Sequence, residues 1–163
     1  MHMKTKLYLF CIALLAPLIA YGGCRIERKT MPCKLLKTIS EREYSICLPA
    51  SYSETDNRTY PVLYLLHGGG THHTEWEENG RLQTVVDSLV AQGCMEEMII
   101  ICPEANKNNM IWFNAPHWKY EDYFFQELMP YMELHYKIKA EKRYRGVAGF
   151  SMGGISSLWH SSS

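Results

Sequence analysis

An excess of charge of either sign is the first thing this 163-residue chain lacks, because 17 lysines and arginines face 17 aspartates and glutamates. Such a balance creates no long-range field to gather nucleic acid, so no nucleic-acid partner is expected. There is no Cys-x-x-Cys, which argues against a zinc ribbon or a dithiol redox centre. There is also no Gly-x-Gly-x-x-Gly, and no Lys-Ser or Lys-Thr closes the glycine run at 68–70, so dinucleotide and P-loop phosphate binding do not fit. His67, His72 and His73 lack the helical His-x-x-x-His spacing of a zinc site. No cofactor or metal is therefore expected. Internal repeats and heptads are missing too, which removes solenoids and coiled coils.

What is present starts with a leader. His2, Lys4 and Lys6 precede an apolar run from Leu7 to Ala20, and Gly22 and Gly23 then lead to Cys24. A basic start, a short apolar stretch and small residues at the exit predict a secretory signal over 1–23, too short for a stable membrane span. Cys24 behind two glycines also matches a lipoprotein processing site, except that Tyr21 stands where an aliphatic is usual. Lipidation at Cys24 and plain cleavage both remain open. The expected location is periplasmic, outer-membrane lipoprotein or extracellular, with the membrane touched only through an anchor at Cys24. Residues 24–34 read as a polar tether before a domain over 35–163. Cys33, Cys47, Cys94 and Cys102 could pair in an oxidising compartment, but no spacing chooses among the three pairings.

Hydrophobic patterning orders the rest. Leu35–Ile39 and Tyr44–Leu48 predict two strands of a hairpin. Val62–Leu66 and Met98–Cys102 are unbroken apolar runs suited to buried parallel strands. Leu82, Val85, Val86, Leu89 and Val90 recur at helical spacing, and Gly93 stands where a C-terminal cap would. Phe124, Leu128, Tyr131 and His135 predict a second helix, interrupted by Pro130. Tyr144–Phe150 is a further strand, and Ile155, Leu158 and Trp159 open a third helix. Strands alternating with helices predict an α/β fold with a mostly parallel sheet, whose ligands gather at the carboxyl ends of the strands.

Two glycine-rich turns lie at that edge. Gly149-Phe150-Ser151-Met152-Gly153 is a Gly-x-Ser-x-Gly between a strand and a helix, where small neighbours let the chain bend tightly around a serine. His67-Gly68-Gly69-Gly70 follows a buried strand and would expose backbone N–H groups. Together with the Met152 N–H, these could stabilise the oxyanion of acyl transfer.

These turns sit in a longer pattern. Tyr60 to Gly70 followed by Trp76, Asn79-Gly80-Arg81, Tyr120 to Phe124, Glu127 to Tyr131, and Gly149 to Gly154 together resemble the bacterial putative-esterase family. Esterase D, S-formylglutathione hydrolases and feruloyl or acetyl-xylan esterases belong to it. The resemblance covers roughly residues 35 to 155. It implies an α/β-hydrolase fold, Ser151 as nucleophile, an oxyanion hole near Gly69, Gly70 and Met152, and hydrolysis of carboxylic esters. Acylated polysaccharide or oligosaccharide would be the substrate. Trp112 and Trp118 fall in a loop that borders the cleft in such proteins, with packing expected over sugar stacking.

The pattern then breaks. Hydrolases of this fold carry the acid and the histidine after the nucleophile, yet no Asp or Glu follows Ser151. His160 lies nine residues on, about 13 Å away along a helix. The expectation is an esterase sequence that stops after its nucleophile elbow and is inactive as it stands. A glycan-binding surface lipoprotein and a non-functional fragment are the alternatives.

Overall fold

The computed structural model describes residues 22–37, 39–105 and 111–160, with side chains to 156. The predicted leader through Tyr21 lies outside the described residues. Five strands form one sheet in the order β1-β2-β4-β3-β7, where β1 is Arg25–Pro32, β2 Glu41–Leu48, β3 Val62–Leu66, β4 Ile99–Pro103 and β7 Arg145–Gly149. Strands β3, β4 and β7 run parallel, and β1 and β2 complete the sheet antiparallel. Between β3 and β4 lie the short α1 (Glu75–Glu78) and α2 (Leu82–Ala91). Between β4 and β7 come a two-residue hairpin, β5 (Asn114–Ala115) with β6 (Trp118–Lys119), and then α3 (Tyr120–Tyr123). A π-helical turn over Phe124–Leu128 leads into α4 (Met129–His135), and α5 (Met152–His160) comes after β7. The predicted α/β architecture is what forms.

Strand alternation divides the core into two layers. Ile46, Tyr64, Ile99 and Ile101 face the aromatic side, where Tyr120, Tyr123, Phe124, Leu128 and Met132 pack. Cys47, Ile100 and Cys102 face the other side, under Leu82 and Val86 of α2. The residues 82, 86 and 90 share that inner face, whereas Val85 and Leu89 are exposed, so the inward stripe is narrower than the apolar spacing suggested. Gly93 does cap α2, at φ +69°, with its N–H on the Val90 carbonyl and the Cys94 N–H on that of Leu89. Those two bonds are the crossed pair of a Schellman ending.

Three readings need correction. The tether over 24–34 is in fact the edge strand β1, paired residue for residue with β2 from Arg25↔Leu48 to Pro32↔Glu41. Half of its side chains are charged and most are exposed, with Met31 alone buried, a composition that protects an edge and imitates a linker. Leu35–Ile39 is therefore the connection of the hairpin and not its first strand. In the second helix the π turn ends at Leu128, two residues before Pro130, which has no N–H to donate. The extra residue of the π turn rotates the helix beyond it, so Met132 points inward, Tyr131 is half-buried and His135 is exposed.

Candidate active site

Register places the two glycine turns side by side. β3 and β7 are parallel neighbours, Leu66 pairs with Gly149, and the Phe150 N–H donates to the Leu66 carbonyl at 3.3 Å. Both chains therefore leave the sheet at the same edge. Gly153 packs against that edge so closely that a Cβ there would stand 2.5 Å from the Leu66 oxygen and 2.7 Å from that of His67. A Cβ at Gly149 would meet the Gly153 backbone at 2.5 Å. Only glycine allows this approach.

Ser151 sits at the bend with φ +54°, in the left-handed region that a serine seldom enters. This strained, exposed position is what a strand-to-helix elbow demands of its central residue. Met152 begins α5, and the first N–H groups of a helix have no acceptor within it. Gly69 lies against Met152, since a Cβ on Gly69 would touch the Met152 Cβ at 4.0 Å and its sulfur at 3.9 Å. Gly69 and Gly70 are both exposed, and Gly70 has φ +78°. Of the three residues expected to supply oxyanion donors, Gly69 and Met152 meet next to the bend at Ser151, and Gly70 follows in the same loop with open space around it.

A buried histidine holds the glycine loop. The His67 Nδ1 donates to the Gly68 carbonyl at 2.9 Å, while Nε2 accepts from the Ala105 N–H at 3.2 Å. One neutral tautomer satisfies both bonds. Burial holds its pKa below the usual histidine range, although the Glu104 carboxylate 3.8 Å from Nε2 pulls the other way. The Trp112 indole N–H donates to the His67 carbonyl at 3.2 Å, and the two rings stand 4.8 Å apart. Trp112 also makes an edge-on contact with Tyr120. Trp112 and Trp118 are both buried, the packing role expected for them, so neither presents a face to a sugar. His67, which borders the loop, shapes that turn as its position in the sequence suggests, but the support it receives from Trp112 and Glu104 escaped the sequence reading, because those contacts join residues some 40 positions apart.

His72, His73 and His135 are engaged elsewhere. Glu104 accepts from the His73 N–H, and the His73 Nδ1 hydrogen-bonds Ser45 Oγ at 2.8 Å. His72 is exposed, 3.6 Å from Glu104, and His135 stacks on Tyr131. Among the described residues, no imidazole hydrogen-bonds the Ser151 hydroxyl. Cys24, the possible lipidation site, is buried at 2 % exposure against Cys47 and α2.

Comparison with known proteins bears on the family and the fold. The family model described as Putative esterase matches residues 37–163. An endo-1,4-beta-xylanase/feruloyl esterase of Xylanibacter ruminicola is 30% identical over 117 residues, covering 68% of this chain and 16% of that protein. Esterase Rv1288 of Mycobacterium tuberculosis is 34% identical over 124 residues, covering 70% and 24%. A solved ferulic acid esterase superposes with a TM-score of 0.78 at 37% identity, covering 83% of this chain and 51% of its own. A ferulic acid esterase from Anaeromyces mucronatus, solved with ferulic acid, gives 0.71 at 29% identity, with 85% and 53% covered. The chain thus spans about half the length of the solved relatives and less of the curated ones.

Proposed function

The chain belongs to the Putative esterase family, and on that premise we propose that it carries the nucleophile and oxyanion donors of a serine carboxylic-ester hydrolase acting on acylated carbohydrate. The observation that carries the reading is the meeting of Gly69 and Met152 beside a serine at φ +54°. An ester carbonyl set over Ser151 would place its oxygen between amides of the two turns, where charge develops during attack. The carbohydrate ester rests on the feruloyl esterases among the relatives. Export rests on the basic and apolar leader, and would bring the enzyme to polysaccharide outside the cell.

The described residues offer the hydroxyl no base. A serine site without one keeps only about 10³–10⁴-fold catalysis over water, from donors and binding. The 163-residue chain alone is therefore expected to be nearly inactive. Supplying imidazole in solution tests both halves of this reading. With a 4-nitrophenyl ester, imidazole should raise the rate of wild type well above that of Ser151→Ala. Equal rates for the two proteins at every imidazole concentration would remove Ser151 from the reaction.

A further inference from the structure

The α2 face of the sheet holds three buried thiols, and two of them touch. Cys24 Sγ is 2.9 Å from Cys47 Sγ, closer than unbonded sulfur atoms pack, and both residues are at most 2 % exposed. Cys102 belongs to the same cluster but has no such contact. The register explains the meeting. Ile26 pairs with Cys47, and Cys24 lies two residues before Ile26, so both thiols project from one face of the hairpin.

The backbone of Cys24 is gripped from α2 as well. Its N–H donates to Asp87 Oδ1 at 2.7 Å, and its carbonyl accepts from Gln83 Nε2 at 2.5 Å. Gly23 lies against the same aspartate. The sulfur is thereby aimed into the core, under Leu82 and Val86, and away from solvent. An acyl chain on this sulfur would have to break these contacts to reach a membrane.

We propose that Cys24 and Cys47 form a disulfide that staples the charged edge strand β1 to the sheet and to α2, and that this bond is the fate of the Cys24 sulfur in place of lipid. Closing it needs the sulfurs to approach by less than 1 Å, since a disulfide is about 2.05 Å long. The oxidant is a disulfide of the exchange type, small or protein-borne, as found where exported proteins fold. A thiolate from one cysteine attacks that disulfide and releases one thiol. The second cysteine's thiolate then displaces the remaining half as a second thiol. Two electrons and two protons leave the pair, and the oxidant ends as two thiols. The Cys47 thiol is pushed far up by its Cys24 contact and by burial, and Cys102 to about 12 by burial, so neither is a ready nucleophile in the closed fold. Both sulfurs are shut off from solvent in the closed fold, so an oxidant reaches them while β1, an edge strand paired within the sheet only to β2, is still open.

The test is a peptide map of the full chain, produced in an oxidising compartment and alkylated before digestion without reductant. The expected result joins the Cys24 and Cys47 peptides, two hydrogens lighter than their sum, with Cys102 alkylated. Reduction should lower the melting temperature of wild type by on the order of 10 °C and leave Cys47→Ala unmoved. An alkylated or lipid-bearing Cys24, or a bond joining Cys47 to Cys102, would overturn the proposal.

Discussion

Gly153→Ala puts the packing of the elbow to a quantitative test. The added methyl would lie 2.5 Å from the Leu66 oxygen, 2.7 Å from the His67 oxygen and 2.8 Å from the Leu66 carbonyl carbon. All three belong to backbone, which cannot swing aside as a side-chain tip can. Ordinary contact begins at 3.4 Å, so the start of α5 must retreat by about 1 Å. Overpacking of this kind costs about 1–3 kcal/mol, which lowers the melting temperature of a domain this size by about 3–10 °C. The same retreat would carry the Met152 N–H from Gly69, and a misplacement of 1 Å costs about 10²-fold in rate. Gly154→Ala is the control, because its methyl would meet the Gly149 oxygen at 3.2 Å and nothing closer. Thermal unfolding measured by circular dichroism, with imidazole-supported ester cleavage beside it, reads both effects. Alanine favours a helix over glycine by about 1 kcal/mol. A Gly153→Ala protein as stable as wild type, or more so, would refute the close approach.

The same geometry sets three further outcomes. His67 and His73 are both held below the ordinary histidine range by burial, so the unfolded chain binds their protons first as pH falls. Stability should be complete above about pH 6.5 and fall below it, by up to about 1.4 kcal/mol per pH unit for each histidine, until the depressed folded values are reached. Denaturant titrations from pH 7.5 to 5 should show that slope, reduced in His67→Gln; an unchanged slope would deny His67 its part. Trp112→Phe removes the indole bond to the His67 carbonyl and should cost about 1 kcal/mol in urea unfolding. Because Trp112 and Trp118 are buried, any binding to xylan should survive Trp118→Phe, and its loss would revive the glycan-platform alternative.

The sequence made the parallel strands and the elbow legible because local signals and tertiary roles agree there. Val62–Leu66 is apolar without interruption and lies inside the sheet between β4 and β7. Gly149, Ser151 and Gly153 are fixed by backbone geometry, which a motif can carry. β1 was illegible for the opposite reason. Arg25, Glu27, Arg28 and Lys29 pair with each other and with α1 at the surface, so the strand shows no alternation of apolar residues. The inward turn of Cys24 was hidden too, since it depends on Asp87 and Gln83, some sixty residues away. The phase of α4 was missed because a π turn leaves no periodic trace in the sequence.

Whether Ser151 is a nucleophile that lacks its base can be read in one labelling experiment with a fluorophosphonate, which phosphonylates an activated serine with loss of fluoride. The label would be located by mass spectrometry in the peptide beginning after Arg145. The 163-residue chain should stay unlabelled by itself and take the label on Ser151 once imidazole is supplied. Rapid labelling of Ser151 without imidazole would show that a base already stands beside it, and labelling at another residue would show that the bend at Ser151 is not where the chemistry occurs.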